Sequence, residues 1–265
     1  AKRRNYGVGM FNTFTIEMAK GVLEAAEETG SPVIFGSAEV LLPCCDLETL
    51  ATFLIPMAKK ASVPVVVHLD HGYTEKIIKK AVDLGFTSVM YDCSALPFEE
   101  NARNCARIAA YAHAFGASVE GELGHVAFDG EKGDNYTQPE QVEKFVELTD
   151  VDALAVAIGT EHGVYKSKPV LDIARLKEIR AVTDRALVLH GGSGLSLKEL
   201  QNCIKNGIQK VNIYTDISMA ACDSAHEYVE KKGRNIEGMS VFMKDAIKKV
   251  AMQKMIDFGS SGMGK

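Results

Sequence analysis

Short apolar runs alternate with longer amphipathic stretches from one end of this chain to the other. The strand candidates are VGMFN (8–12), PVIFGS (32–37), VPVVVHLD (63–70), SVMYDC (88–93), ASVEGELG (117–124), ALAVAIG (153–159), ALVLHGG (186–192) and KVNIYT (210–215). Several are nearly continuous in Val, Ala, Ile and Leu, as expected of strands covered on both faces. Between them lie helical patterns. TIEMAKGVLEAAEETG stops at Gly30, TEKIIKKAVDLG follows the cap candidate Thr74 and stops at Gly85, and QPEQVEKFVELT and DIARLKEIRAVT repeat the pattern.

Such alternation means a parallel sheet with helical crossovers. Eight units in 265 residues fit a closed α/β barrel of the (β/α)8, or TIM, type, for which about 250 residues is usual. A doubly wound open sheet fits less well. No Gly-x-Gly-x-x-Gly follows the first strand, which counts against a dinucleotide-binding fold. No linker or charge block divides the chain, so residues 1–265 read as one domain. The polar, Gly-containing segment 125–138 reads as a mobile loop and the tail DFGSSGMGK as frayed.

Hydrophobic residues make up 46% of the chain, charged residues 25%, and the net charge is −5. Interspersed charges of this balance argue against nucleic acid or an anionic membrane as the main partner. No apolar run approaches the roughly 18 residues of a membrane span. The start, AKRRNYGVGMFN, lacks both the apolar core of a signal peptide and an initiator Met, and reads as a trimmed terminus. The six cysteines (44, 45, 93, 105, 203 and 222) contain no Cys-x-x-Cys pair. In a chain with ample core they read as reduced, in a cytoplasmic protein.

Active sites in this type of barrel lie at the carboxyl ends of the strands. His71, His162 and His190 each fall where a predicted strand stops. Three neutral imidazoles that converge make a metal site, and an open fourth position makes it catalytic. Asp70, Asp92, Glu120, Glu122, Asn212, Thr215 and Asp216 fall near other strand ends. Burying such groups is costly unless they are paired or bound. Asp92 and Glu122 suit a helix cap, a salt bridge or a metal equally. His68, inside its strand, reads as a packed supporting residue; His113, His125 and His226 read as surface or structural. GGSG at 191–194 suits either a helix-capping turn or a phosphate site, since the loops after strands seven and eight commonly bind phosphate in barrels.

VVVHLDHG, SVMYDCS, VEGELG, AVAIGTEHGVY, LVLHGGSG and KVNIYTD closely resemble the class II, zinc-dependent ketose-bisphosphate aldolases, in the right order from about residue 5 onward. The family includes the fructose-1,6- and tagatose-1,6-bisphosphate aldolases. The resemblance implies that His71, His162 and His190 hold Zn2+ and that Asp70 is the catalytic acid/base. Asp92 and Glu122 match positions for a second divalent metal or an alternative zinc position. Asn12, Gly163, Gly191, Gly192, Ser193, Asn212, Ile213, Tyr214 and Thr215 match substrate-binding positions, mostly for dihydroxyacetone phosphate. The Gly163 and Gly191 carbonyls match a site for a monovalent cation, Na+ or K+. A homodimer or homotetramer is implied as well.

A Schiff-base lysine is the alternative aldolase chemistry, but no predicted strand carries Lys at its carboxyl end; Lys210 begins strand eight and Lys166 lies in a loop. Three departures from the family concern the substrate. The acidic stretch after strand five is shortened to GHVAFDGEKGDNYTQ, with Asp129 and Glu131 as candidate replacements for a mobile acid. Tyr214 stands where fructose-bisphosphate members often have Asp. VFMKDAIKKV lacks the Arg that commonly meets the second phosphate, leaving Lys244 or Lys248 as candidates.

Overall fold

The computed structural model describes residues 1–126 and 136–264. Eight strands close into one barrel in sequence order, and every neighbouring pair is parallel, including β1 with β8. They are β1 (Val8–Asn12), β2 (Val33–Ala38), β3 (Val65–Gly72), β4 (Ser88–Tyr91), β5 (Ser118–Leu123), β6 (Ala153–Val156), β7 (Ala186–Leu189) and β8 (Ile208–Ile213). The helices following them are α1 (Ile16–Thr29), α2 (Leu47–Lys60), α3 (Glu75–Asp83), α4 (Phe98–Ala114), α5 (Pro139–Thr149), α6 (Ile173–Val182), α7 (Leu197–Lys205) and α8 (Thr215–Lys231). A further helix, α9 (Ile236–Asp257), packs on α1 and α8. The expected barrel is therefore present.

Local signals act where the sequence places them. Gly30 ends α1 with φ 63°, a left-handed conformation that costs a residue without Cβ little. Thr74 caps α3 by accepting from the Ile77 amide. The α3 residues Ile78, Ala81 and Val82 then share one buried face.

Along each strand, alternate residues face the helices and the barrel interior. The outward set (Phe11, Phe35, Val67, Leu69, Val89, Val119, Leu154, Leu187, Leu189, Val211) joins one large apolar cluster with the helices. Inside, Met90, Ala155 and Val188 form a separate small cluster. The interior also holds His68, Ser88, Glu120 and Lys210, all buried. Barrel interiors are usually filled by branched apolar side chains, so this polar layer is a departure.

Through Gly264 the tail is not frayed. Phe258 and Ser260 are buried. The amides of Gly262 and Gly264 donate to the Thr29 and Gly30 carbonyls at 2.9 and 2.8 Å. Of the segment read as a loop, residues 127–135 lie outside the described residues, and Asp129 and Glu131 with them. Its end is anchored: Thr137 is buried and its amide donates to the Ala157 carbonyl at 3.0 Å. All six cysteines are free thiols. Among the described residues no helix is long and apolar enough to cross a membrane.

Candidate active site and metal centre

His71 would face outward by strict alternation from His68 and Asp70. Two features turn it inward: the β3–β4 register shifts between Leu69 and Gly72, and His71 adopts φ 39°. A bulge re-aims a side chain in this way, and left-handed backbone at a non-Gly residue costs of order 1–3 kcal/mol. The adjacent residues Asp70 and His71 thereby both reach the same end of the barrel. His190 follows directly on β7, as expected. His162 does not end a strand: β6 stops at Val156, and His162 sits in the loop beyond.

The three rings converge. His71 Nε2 is 2.8 Å from His190 Nδ1 and 3.2 Å from His162 Nε2. The far nitrogen of each ring has its own acceptor. His71 Nδ1 faces Asp92 Oδ2 at 2.8 Å, His162 Nδ1 faces the Val126 carbonyl at 3.3 Å, and His190 Nε2 faces Glu120 Oε1 at 2.9 Å. Carboxylate and carbonyl oxygens have no proton to give, so these far nitrogens carry the hydrogens. The convergent nitrogens are left to share one small space. An outer carboxylate or carbonyl behind each ring is the usual arrangement around a histidine-bound metal.

Burial opposes a charge on all three rings. At His71, the Asp70 charge and the hydrogen bond to Asp92 overcome it and push the imidazole up to about 9. Burial, then the neighbouring His71 charge, takes His162 down to about 4 and His190 well below its ordinary value. These shifts favour the charged form at His71 and the neutral form at His162 and His190, and a metal at the convergent nitrogens would compete with the His71 proton. The donor set fits Zn2+: three imidazole nitrogens on one side and an open cavity on the other.

Asp70 lies beside this cluster, buried. Asn12 donates to its Oδ2 at 3.0 Å and Asn212 to its Oδ1 at 3.1 Å. Burial alone would raise the carboxyl; the positive charge at His71 and the amide donors hold it below its usual value. Asp70 is therefore held as an oriented carboxylate, a group able to accept a proton. Among the described residues the Asn12 and Asn212 carbonyl oxygens, also buried, have no hydrogen-bond partner, so both are open acceptors.

Asp92 and Glu122 lie on the far side of His71, and the three offer ligand atoms within 4.8 Å of one another. Asp92 is engaged: besides His71 it accepts from the Ser94 amide at 3.1 Å and the Ser94 hydroxyl at 2.7 Å. Burial would raise it, but these donors hold it well below the carboxylate range. Burial and the adjacent Asp92 charge push Glu122 up to about 8, and among the described residues its Oε2 has no hydrogen-bond partner. His125, read as surface or structural, is half-buried with Nδ1 2.8 Å from Ser94 Oγ. It therefore stands nearer the centre than its sequence context suggests.

A cavity of about 420 Å³ opens over the centre, within the range of small-ligand sites. Asn12, Asp70, His71, His162, Gly163, Gly191, Ser193, Asn212, Ile213, Tyr214 and Thr215 line it, with Ala38, Val40, Leu41 and Tyr73, which the sequence did not single out. The Thr215 end of α8 borders it, a favourable place for an anion. Ser193 Oγ accepts there from the Tyr214 and Asp216 amides at 3.2 and 3.3 Å. Gly192 does not line the cavity. Its amide donates to the Asn212 carbonyl at 3.1 Å, and a Cβ there would meet Val211 Cγ1 at 2.5 Å. That position is closely packed. The Gly191 carbonyl already accepts from the Tyr165 hydroxyl at 2.7 Å, leaving one lone pair for a cation. Lys244 and Lys248 do not line the cavity either; they pair with Glu24 and Glu28 of α1. Lys210 is buried in the barrel against Glu120 and is absent from the cavity lining.

Comparison with known proteins agrees with this geometry. Residues 1–263 match the family Fructose-bisphosphate aldolase class-II. The chain belongs to the class-II fructose-bisphosphate aldolase family. A fructose-bisphosphate aldolase of Geobacillus stearothermophilus is 39% identical over 99% of this chain and 94% of that protein. The uncharacterized protein YdjI of Escherichia coli K12 is also 39% identical, over 99% of this chain and 95% of that protein. The crystal structure of the YdjI aldolase from the same organism superposes with a TM-score of 0.90 at 36% identity, covering 99% of this chain and 95% of that one. As a member of this aldolase family the protein is a carbon–carbon lyase.

Proposed function

We propose that the protein is a zinc-dependent aldolase that reversibly cleaves a ketose 1,6-bisphosphate, fructose 1,6-bisphosphate first among them, to dihydroxyacetone phosphate and glyceraldehyde 3-phosphate. The observation that carries this reading is the junction at β3. There, one carboxylate gripped by two asparagine amides adjoins three convergent imidazoles under one cavity.

Zinc held by His71, His162 and His190 would supply Lewis-acid stabilisation of the charge that develops on the ketose oxygens. Asp70 takes the proton from the C4 hydroxyl as the C3–C4 bond breaks. The C4–oxygen bond becomes the aldehyde carbonyl, and the electron pair of the broken bond stays with the three-carbon fragment, which then gains a proton at C3. Asn12 and Asn212 fix the direction of the Asp70 lone pairs. The Gly191–Ser193 turn and the start of α8 receive the C1 phosphate. Asp92 and Glu122 supply an alternative metal position. The carbonyls of Gly163 and Gly191 suit Na+ or K+ beside the phosphate. The six free thiols favour the cytoplasm, and the resemblance favours a homodimer or homotetramer.

Tagatose 1,6-bisphosphate, or another phosphorylated sugar, is the second reading. Tyr214 favours it, because by the resemblance fructose-bisphosphate members often have Asp at this position, and here an aromatic ring lines the cavity, its centroid 6.2 Å from that of Phe14. Turnover of fructose and tagatose bisphosphates side by side, with metal content quantified, tests both. Preferential cleavage of the fructose compound supports the first reading. Preference for tagatose bisphosphate moves the assignment to the second, and no cleavage of any ketose phosphate overturns the activity.

A further inference from the structure

Beneath the metal centre, the barrel interior carries a chain of polar contacts that the aldolase chemistry does not use. Glu120 of β5 lies one inward position below Glu122, Lys210 of β8 one below Asn212, and His68 of β3 one below Asp70. All three are buried, as is Ser88 at the start of β4. Lys210 Nζ donates to Glu120 Oε2 at 2.5 Å and to His68 Nε2 at 3.1 Å. An ammonium has no lone pair, so His68 Nε2 is the acceptor and its Nδ1 donates to Ser88 Oγ, 2.8 Å away. Burial keeps the His68 imidazole neutral. The other Glu120 oxygen, Oε1, accepts from His190 Nε2 at 2.9 Å. Asn212 Nδ2 stands 3.2 Å from that nitrogen but carries only hydrogens, and it donates to Asp70 instead.

A buried ion pair is poor value for stability alone: the cost of desolvating two charges offsets their attraction, and apolar replacements of similar size are often neutral or better. This pair does something an apolar pair cannot. It holds a carboxylate oxygen behind His190, which fixes the tautomer with hydrogen on Nε2 and turns Nδ1 toward His71 and His162. We infer that Glu120 and Lys210 are positioning residues for the metal centre, Lys210 clamping Oε2 of Glu120 so that Oε1 locks His190 as a metal ligand. This rests on the metal centre described above.

The test is Zn2+ affinity, measured on metal-free protein by competition with a chromophoric chelator, alongside thermal unfolding of the same metal-free samples. Glu120→Gln is expected to weaken Zn2+ binding about ten- to a hundredfold, the usual effect of losing a partner behind a ligand. The double variant Glu120→Leu/Lys210→Met removes both charges together. It is expected to unfold near the native midpoint while binding Zn2+ as weakly as Glu120→Gln. Zn2+ affinity in the folded double variant within about twofold of native, against the ten- to hundredfold loss expected, overturns the inference. So does a loss of affinity that merely tracks the loss of folding stability across the variants. If the native protein binds no Zn2+, the metal centre itself is wrong and the inference falls with it. If native binding is tight and the variants match it, only the positioning role is lost.

Discussion

Asn212 donates its side-chain amide to Oδ1 of Asp70 at 3.1 Å, reaching across the barrel interior from β8 to β3. With Asn12 on Oδ2, it leaves the carboxylate one orientation, toward the cavity above His71. Asp70→Ala should lower kcat by about 10²–10⁴-fold, the usual range for a general base, with Zn2+ affinity held within a few-fold. Loss of the metal in that variant would reassign Asp70 to metal binding. Asn212→Ala should cost less, about 10–100-fold in kcat, matching one hydrogen bond to a charged group. Steady-state kinetics with parallel Zn2+ titration checks both.

Removing the metal should abolish cleavage, and adding back Zn2+ should restore it. His162→Ala takes away one of three convergent nitrogens and should release zinc at chelator concentrations the native protein withstands. Cleavage that persists undiminished after complete chelation would point away from metal chemistry altogether.

Gly191 sits at φ 65° in the turn proposed to receive the phosphate, and a Cβ there would stand 2.3 Å from the Glu161 carbonyl oxygen. Gly191→Ala should lose about 1–2 kcal/mol from the left-handed backbone alone. Moving the turn to relieve the contact should also raise KM for the ketose phosphate. A native-like melting temperature with unchanged KM would show that the loop yields freely and that Gly191 is dispensable.

Phe258, fully buried after α9, packs beside Gly7 and Gly9 at the start of β1, and its carbonyl accepts from the Gly7 amide at 2.9 Å. Phe258→Ala should destabilise the fold by about 3–5 kcal/mol through the cavity it leaves. Zn2+ affinity of the folded protein should stay native, because Phe258 packs against Gly7 and Gly9 at the start of β1, the opposite end of the barrel from the site. Chemical denaturation gives the first quantity and chelator competition the second. A frayed tail would instead predict almost no change in stability.

The linear pattern was enough for the architecture. VGMFN, SVMYDC and ALVLHGG begin as strands where the observed ones begin, because strands buried on both faces must be short and apolar, and each parallel neighbour needs a helix to return the chain. The convergence of His71, His162 and His190 was legible too, since polar groups repeated near the carboxyl ends of several apolar runs all fall at one mouth of a parallel barrel. Side-chain direction was not. Strand alternation puts Asp70 and His71 on opposite faces, and only the bulge in β3 against β4 brings both inward. That bulge is a property of the pairing between two strands, which neither strand encodes alone. In the same way, Glu120 and Lys210 lie far apart in sequence, on β5 and β8, and nothing in the sequence pairs them until barrel closure places them 2.5 Å apart behind His190. The sequence thus determined the barrel and which groups crowd its mouth. Tertiary structure decided which of them meet, because those meetings depend on the register between strands and on the inward turn of each side chain.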